Sequence, residues 1–174
     1  MEFIDLKRQQ KLIKKEILKS IEEVLSNGQY IQGPKIFELE KKLSNYVGAK
    51  FCVTCSSGTD ALFMCLMAWN IKPGDLILTT PFTYIATSEV IRLIGAKPIF
   101  VDIDKHSFNI DPTKIEKKIL ELKKNNLPLP KVIIPVNIFG LCSDYDKIGE
   151  IANKYNIRIL EDAAQSFGAS YKNK

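Results

Sequence analysis

Five short apolar runs recur along the second part of the chain: FCVTC (51–55), DLILTT (75–80), PIFVDI (98–103), KVIIPVN (131–137) and IRILED (157–162). Each is rich in β-branched or aliphatic residues and too short for a stable helix. The gaps between them hold helix-length segments, TDALFMCLMAWN, YIATSEVIRLIG, PTKIEKKILELKK and SDYDKIGEIANKY. Turn signals stand at the seams, with KPGD before the second run and GAKP before the third. A continuous apolar run is what a strand covered on both faces needs. Regular alternation with helices is what parallel strands need, because each must be reached by a crossover. The expected fold class is therefore α/β, a mainly parallel sheet with helices on both faces.

Two further helices precede this pattern. Ile13, Ile17, Ile21 and Val24 repeat at intervals of three and four between Leu6 and Leu25, with charges between them, and Asn27-Gly28 is a helix stop. After the turn YIQGP, a second amphipathic segment, KIFELEKKLSNYVG, follows Pro34, a good helix starter, and ends at Gly48. The expected organisation is residues 1–48 as N-terminal helices with an intervening turn, and residues 49–174 as the α/β domain.

Composition narrows the function classes. The net charge of +5 comes from 25 basic and 20 acidic residues, but the lysines are interleaved with glutamates, as on the wet face of amphipathic helices. That argues against a nucleic-acid-binding stripe. No run reaches the ~18 apolar residues of a membrane span, and the charged N-terminus is no signal peptide, so the expected location is the cytoplasm. The four cysteines include the pair Cys52 and Cys55, yet there is no second CxxC, and the single histidine, His106, lies in a polar turn. Reduced, buried thiols are expected rather than a metal site.

In such a sheet, ligands bind at the carboxyl ends of the strands, and three of those ends are chemically loaded. In SSGTDAL, Ser57 and Asp60 have capping-box-like spacing, and Gly58 allows close backbone approach to a ligand. The segment reads either as a plain helix cap or as an anion cradle at a helix start. In TTPFTYIATSEV, Phe82 and Tyr84 are either core aromatics or a platform for a flat ligand. In ILEDAAQSF, Asp162 follows three aliphatic residues, so its backbone is expected to be buried. It is either a structural cap or ion pair, or a carboxylate aimed into a site with Gln165 as a nearby amide donor. Glu161 is expected to face the other way. An anion cradle, an aromatic platform, a carboxylate and an amide together suit pyridoxal phosphate, with its phosphate, flat ring, protonated ring nitrogen and phenolic oxygen.

The segments FIDLKRQQ, GQYIQGPKIFELEKKL, SSGTDAL, PFTYIATSEVI, GAKPIFVDID, NIDP, IIPVNIFG and ILEDAAQSFGASYK resemble, in order and over nearly the whole chain, the pyridoxal-phosphate-dependent nucleotide-sugar aminotransferases of the DegT/StrS type. The resemblance implies part of the large domain of an aspartate-aminotransferase-like (fold type I) enzyme, a homodimer when complete. It places Gly58 and Thr59 at the cofactor phosphate, Tyr84 on the ring face, Asp162 at the pyridine nitrogen and Gln165 near the phenolic oxygen. Gly28 and Tyr30 match positions near the nucleotide-sugar. GQYIQGP and EDAAQSFGASYK look closest to enzymes that aminate a UDP-linked 3-keto uronic acid with glutamate, for surface polysaccharide synthesis.

Two departures qualify this. Asn137 stands where the family usually has His or Ser, and an amide cannot shuttle protons. The family's Schiff-base lysine lies beyond the segment matching EDAAQSFGASYK, outside these 174 residues, and Lys172 and Lys174 match a polar turn instead. No catalytic residue is therefore assigned, and the chain alone is expected not to transaminate. The competing expectations are a decayed or repurposed domain that binds without catalysis, and a nucleotide-binding domain of flavodoxin or Rossmann type.

Overall fold

The computed structural model describes residues 4–172. Lys174, and the Phe3 that opens FIDLKRQQ, lie outside the described residues. The chain divides into two compact units, one ending at Thr54 and the other beginning at Cys55.

The first unit holds α1 (Leu6–Asn27) and α2 (Pro34–Val47). Asp5 caps α1 by accepting from the Arg8 amide at 2.9 Å, and Gly28 closes it in the left-handed region at φ 68°. Pro34 opens α2, and Gly48 ends it in the same way. Neither helix buries a residue. The apolar stripe of α1 instead lines an open groove of about 630 Å³ formed by Ile13, Ile17, Ile21, Val24, Leu25 and Tyr30.

FCVTC does not form the expected strand. Phe51 and Val53 are exposed, and the Thr54 amide and hydroxyl both donate to Glu40, at 2.8 and 2.9 Å. The run has strand-like composition but no ladder partner among the described residues, so a carboxylate satisfies its backbone.

The second unit begins with α3 (Gly58–Ala68), followed by β1 (Leu76–Thr79), α4 (Ala86–Leu93), β2 (Lys97–Phe100), α5 (Pro112–Lys124), β3 (Val132–Ile134), α6 (Tyr145–Tyr155) and β4 (Arg158–Ile159). The strands are parallel in the order β2-β1-β3-β4. Alternation along the strands sends side chains to opposite faces. Ile77, Val132 and Ile134 join Leu62, Leu66, Val90 and Ile91 in a core under α3 and α4. Leu78 and Ile133 join Ile115, Ile119, Ile148 and Ile151 in a second core under α5 and α6. β1 is buried along its whole length. Each fully buried aliphatic side chain contributes roughly 1.5–3 kcal/mol, which makes these two faces the main source of stability.

The chain leaves β1 for β2, then crosses back over β1 to β3. The carboxyl ends of β1 and β3 thus flank a topological switch point, the place where open α/β sheets hold ligands. The Thr79 hydroxyl ties the two strands there, donating to the Ile134 carbonyl at 3.0 Å. Among the described residues, no helix is long and apolar enough to cross a membrane.

The cysteines are free but not buried as expected. Cys55 and Cys65 are exposed, and Cys52 and Cys142 are half-buried. Cys52 and Cys55 lie in the irregular 51–55 stretch rather than on a strand, and Cys65 falls on the outer side of α3. Burial, and next the Glu161 carboxylate, hold the Cys142 thiol above its ordinary pKa, so it is an unreactive thiol.

Candidate active site

Asp162 is the buried acid at the switch point, 8 % exposed. Its backbone bridges to Val136 beyond the end of β3. Its amide donates to the Pro135 carbonyl at 2.9 Å, and its carbonyl accepts from the Asn137 amide at 3.2 Å. The carboxylate accepts from the Thr87 hydroxyl at 2.7 Å through Oδ2, and from the Ala164 amide at 3.3 Å through Oδ1. Thr87 is itself buried and lies 3.0 Å from the Thr83 hydroxyl. Nothing in the sequence patterning singles out Thr83 and Thr87. The acid they serve lies 75 residues away from Thr87.

Tyr84 sits in the same turn, its carbonyl accepting from the Thr87 amide at 3.3 Å. The residue is 73 % exposed, which removes the core-packing alternative within the described residues. Phe82 is half-exposed and belongs to a cluster instead. It meets Phe108 and Phe139 at centroid distances of 5.8 and 6.0 Å, with those two 5.6 Å apart. The three rings come from the loops after β1, β2 and β3, and Phe108 adopts a left-handed φ of 61° to reach the others. A bulky residue in that region is strained.

Gly58 and Thr59 begin α3. Since α3 leads through a short turn into β1, its N-terminus lies toward the carboxyl end of that strand. The Ser57 side chain caps the helix, accepting from the Asp60 amide at 3.0 Å. The capping-box spacing is realised, but Asp60 uses its carboxylate to accept from the Ser56 and Ser57 hydroxyls. Those bonds lower its pKa, with Ser56 the larger cause, so the first turn carries an ionised acid. The Gly58 and Thr59 amides make no hydrogen bond within the described residues. A Cβ on Gly58 would meet no atom within 4 Å, so the backbone there faces open space.

Gln165 is exposed, and its side chain makes no hydrogen bond within the described residues. Its carbonyl lies against Gly140, where a Cβ would come within 3.3 Å at a backbone φ of +84°. A side chain there would be strained at that φ and would push the Gln165 carbonyl back by a few tenths of an ångström.

Asn137 is fully buried and spends every side-chain valence inward. Its amide nitrogen donates to Glu161 at 2.6 Å and to Ser166 at 3.1 Å. Its oxygen accepts from the Ser143 amide and hydroxyl, at 2.9 and 3.1 Å, and from the Tyr145 phenol at 3.2 Å. Burial, and next the Glu161 carboxylate, push the Tyr145 phenol well above its ordinary pKa, so it remains a neutral donor. Glu161, exposed, faces this network rather than the Asp162 side.

Lys172 is exposed and ion-paired with Asp146, which raises its pKa. A reactive amine must lose its proton near neutral pH, so the shift runs the wrong way. A cavity of about 820 Å³ lies at the N-terminal ends of α5 and α6, lined in part by Asp111, Asp144, Asp146 and Lys172, but by none of the predicted site residues. Its acids are engaged as helix caps and ion pairs, so volume alone does not make it the site. Gly28 and Tyr30 belong to the first unit, Gly28 as the C-cap of α1 and Tyr30 as an exposed ring beside the apolar groove.

Comparison with known proteins places this geometry in context. The profile of the DegT/DnrJ/EryC1/StrS aminotransferase family matches residues 11–174. The UDP-2-acetamido-2-deoxy-3-oxo-D-glucuronate aminotransferase of Pseudomonas aeruginosa is 52% identical over 174 residues, 100% of this chain and 46% of that protein. A DegT DnrJ EryC1 StrS aminotransferase from Brucella abortus superposes with a TM-score of 0.92 at 43% identity, covering 95% of this chain and 44% of that one. NtdA from Bacillus subtilis, solved with bound cofactor PMP, superposes with a TM-score of 0.83 at 37% identity, covering 90% of this chain and 34% of that one. The chain spans less than half the length of these relatives.

Proposed function

Because the chain belongs to the DegT/DnrJ/EryC1/StrS aminotransferase family, we propose that its second unit forms the pyridoxal phosphate cradle of a nucleotide-sugar aminotransferase. The observation that carries this reading is the buried carboxylate of Asp162, held at the switch point by groups that leave Oδ1, within the described residues, with one long hydrogen bond. The donor set fits the cofactor. The unpaired Gly58 and Thr59 amides and the Thr59 hydroxyl would take the phosphate, helped by the partial positive charge of a helix start. The open space over Gly58 leaves room for that group. The Ser56 and Ser57 hydroxyls beside them donate to Asp60.

When bound, pyridoxal phosphate supplies an electron sink that stabilises negative charge on the carbon bearing the substrate amine. The Asp162 carboxylate would keep a proton on the ring nitrogen, Tyr84 would cover the ring, and Gln165 would donate to the phenolic oxygen. Asn137 holds the loops around Asp162 and moves no proton. Gly28 and Tyr30 would border the sugar nucleotide. By likeness to the Pseudomonas relative, the acceptor is a UDP-linked 3-keto uronic acid; glutamate as donor and a homodimeric enzyme follow from the family resemblance of the sequence. The 174-residue polypeptide by itself is expected not to turn over, and Lys172, whose amine Asp146 holds protonated, is no substitute for an imine-forming lysine.

Fluorescence titration with pyridoxal 5′-phosphate tests this. The wild-type chain should bind, and D162A should bind at least about tenfold more weakly, a hydrogen bond to a charged group being lost. Equal binding by both, or release of 2-oxoglutarate from glutamate by the purified 174-residue polypeptide, would each contradict part of the reading.

A further inference from the structure

On the reading above, the value of Asp162 depends on which way its carboxylate faces. A free carboxylate can turn about its last bond and offer either oxygen, or neither, to a ring nitrogen. Here the rotation is fixed. Thr87 Oγ1 lies 2.7 Å from Asp162 Oδ2, and both residues are buried, at 1% and 8% exposure. A hydroxyl has one proton and a carboxylate has none to give, so Thr87 is the donor. The contact of 3.0 Å between the two threonine hydroxyls then has only one direction: Thr83 donates to Thr87. The order Thr83 to Thr87 to Asp162 is a one-way chain in which each bond polarises the next. The Asp162 backbone is pinned on both sides by Pro135 and Asn137.

We propose that Thr87, backed by Thr83, is a positioning residue for the family's chemistry: by occupying Oδ2 it sets the Asp162 carboxylate so that Oδ1 is the oxygen offered to the cofactor's ring nitrogen. Thr87 touches neither cofactor nor substrate and acts through the acid alone. The inference rests on Asp162 being the ring-nitrogen partner, and the test separates the two.

The full 174-residue chain and its variants are titrated with pyridoxal 5′-phosphate and with the 1-deaza analogue, whose ring nitrogen is replaced by carbon. Wild type should prefer the natural cofactor roughly 10- to 100-fold, the span of hydrogen bonds to charged groups. D162A should bring that ratio close to one. T87V, nearly isosteric, should lower the ratio about three- to tenfold while leaving analogue binding within about twofold, as loss of one neutral donor predicts. T87S should restore it. T83V, one step removed and away from the acid, should lower it by less, and gives a second reading should T87V not fold. If T87V weakens both ligands equally and leaves the ratio unchanged, Thr87 is merely structural and the proposal is overturned. If wild type shows no preference, or binds neither ligand, the assignment of Asp162 falls and this inference falls with it.

Discussion

Replacing Asn137 with alanine removes the center of a network that no other side chain can supply. The amide makes five hydrogen bonds, to Glu161, Ser166, the Ser143 amide, the Ser143 hydroxyl and Tyr145. Glu161 is exposed and will turn to water, so little is lost there. Ser143 and Ser166 are buried, and the Ser143 amide would be left without an acceptor. One orphaned buried N–H costs about 1–3 kcal/mol, and each ordinary bond lost adds about 1 kcal/mol, giving roughly 3–5 kcal/mol in total. Against a typical stability of about 5–15 kcal/mol, and a urea slope near 2 kcal/mol/M, N137A should lower the unfolding midpoint by about 1.5–2.5 M. N137D is the sharper probe, because it keeps the shape, deletes both donors and sets a second carboxylate against Glu161. Burial and that like charge would raise the new acid's folded pKa above its unfolded value of about 3.9. Between those two values the native state binds more protons, so stability should recover as pH falls, with N137D overtaking N137A in acid. Urea curves by circular dichroism from pH 4.5 to 7.5 read both effects. A midpoint shift below about 0.5 M for N137A would refute the account of Asn137 as the structural hub.

Three other perturbations follow. Gly58→Ala has open space for its Cβ and gains helix propensity, so the melting temperature should hold or rise slightly, while the affinity for pyridoxal phosphate should fall at least about tenfold if the phosphate packs on that backbone. Ile133→Ala, at a fully buried position in the core under α5 and α6, should cost about 2–5 kcal/mol and lower the melting point by roughly 4–20 °C; Ile133→Val should cost only about 1 kcal/mol. Asp75 is pulled two ways: burial raises its pKa, but the Lys131 ion pair and the Lys72 amide, each at 2.8 Å, bring it below the ordinary value. A depressed folded pKa contributes stability that is present above the unfolded value near 3.9 and lost as pH falls through the folded one, so the margin of wild type over D75N, on the order of 1 kcal/mol, should vanish in acid.

Local chemistry was the legible part of this chain. Asn27-Gly28, Pro34 and Gly48 mark helix ends because capping and φ restrictions act within a few residues. The strand runs at β1 and β3 were readable because burial on both faces demands unbroken aliphatics. FCVTC shows the limit, since its composition suits a strand but a strand also needs a neighbour, which composition cannot supply. The burial of Asp162 was readable from the aliphatics before it, yet Thr87, which holds it, was not, because a hydrogen bond across 75 residues leaves no mark on either segment. The same holds for the Phe82, Phe108 and Phe139 cluster, drawn from three separate loops.

The strand order has a consequence for the time course of folding. β1 and β2 are joined by one short crossover and can zip early, but β1 meets β3 across 55 residues at Thr79 and Ile134, and Asp162 meets Thr87 across 75. Closing long loops is slow because their entropy is lost before any contact repays it. Bringing the acid to its threonine clamp therefore carries a larger closure entropy than pairing β1 with β2. A ligand that recognises them draws on contacts far apart in sequence. During synthesis that pairing has to wait until residue 162 has emerged and docked beside β3.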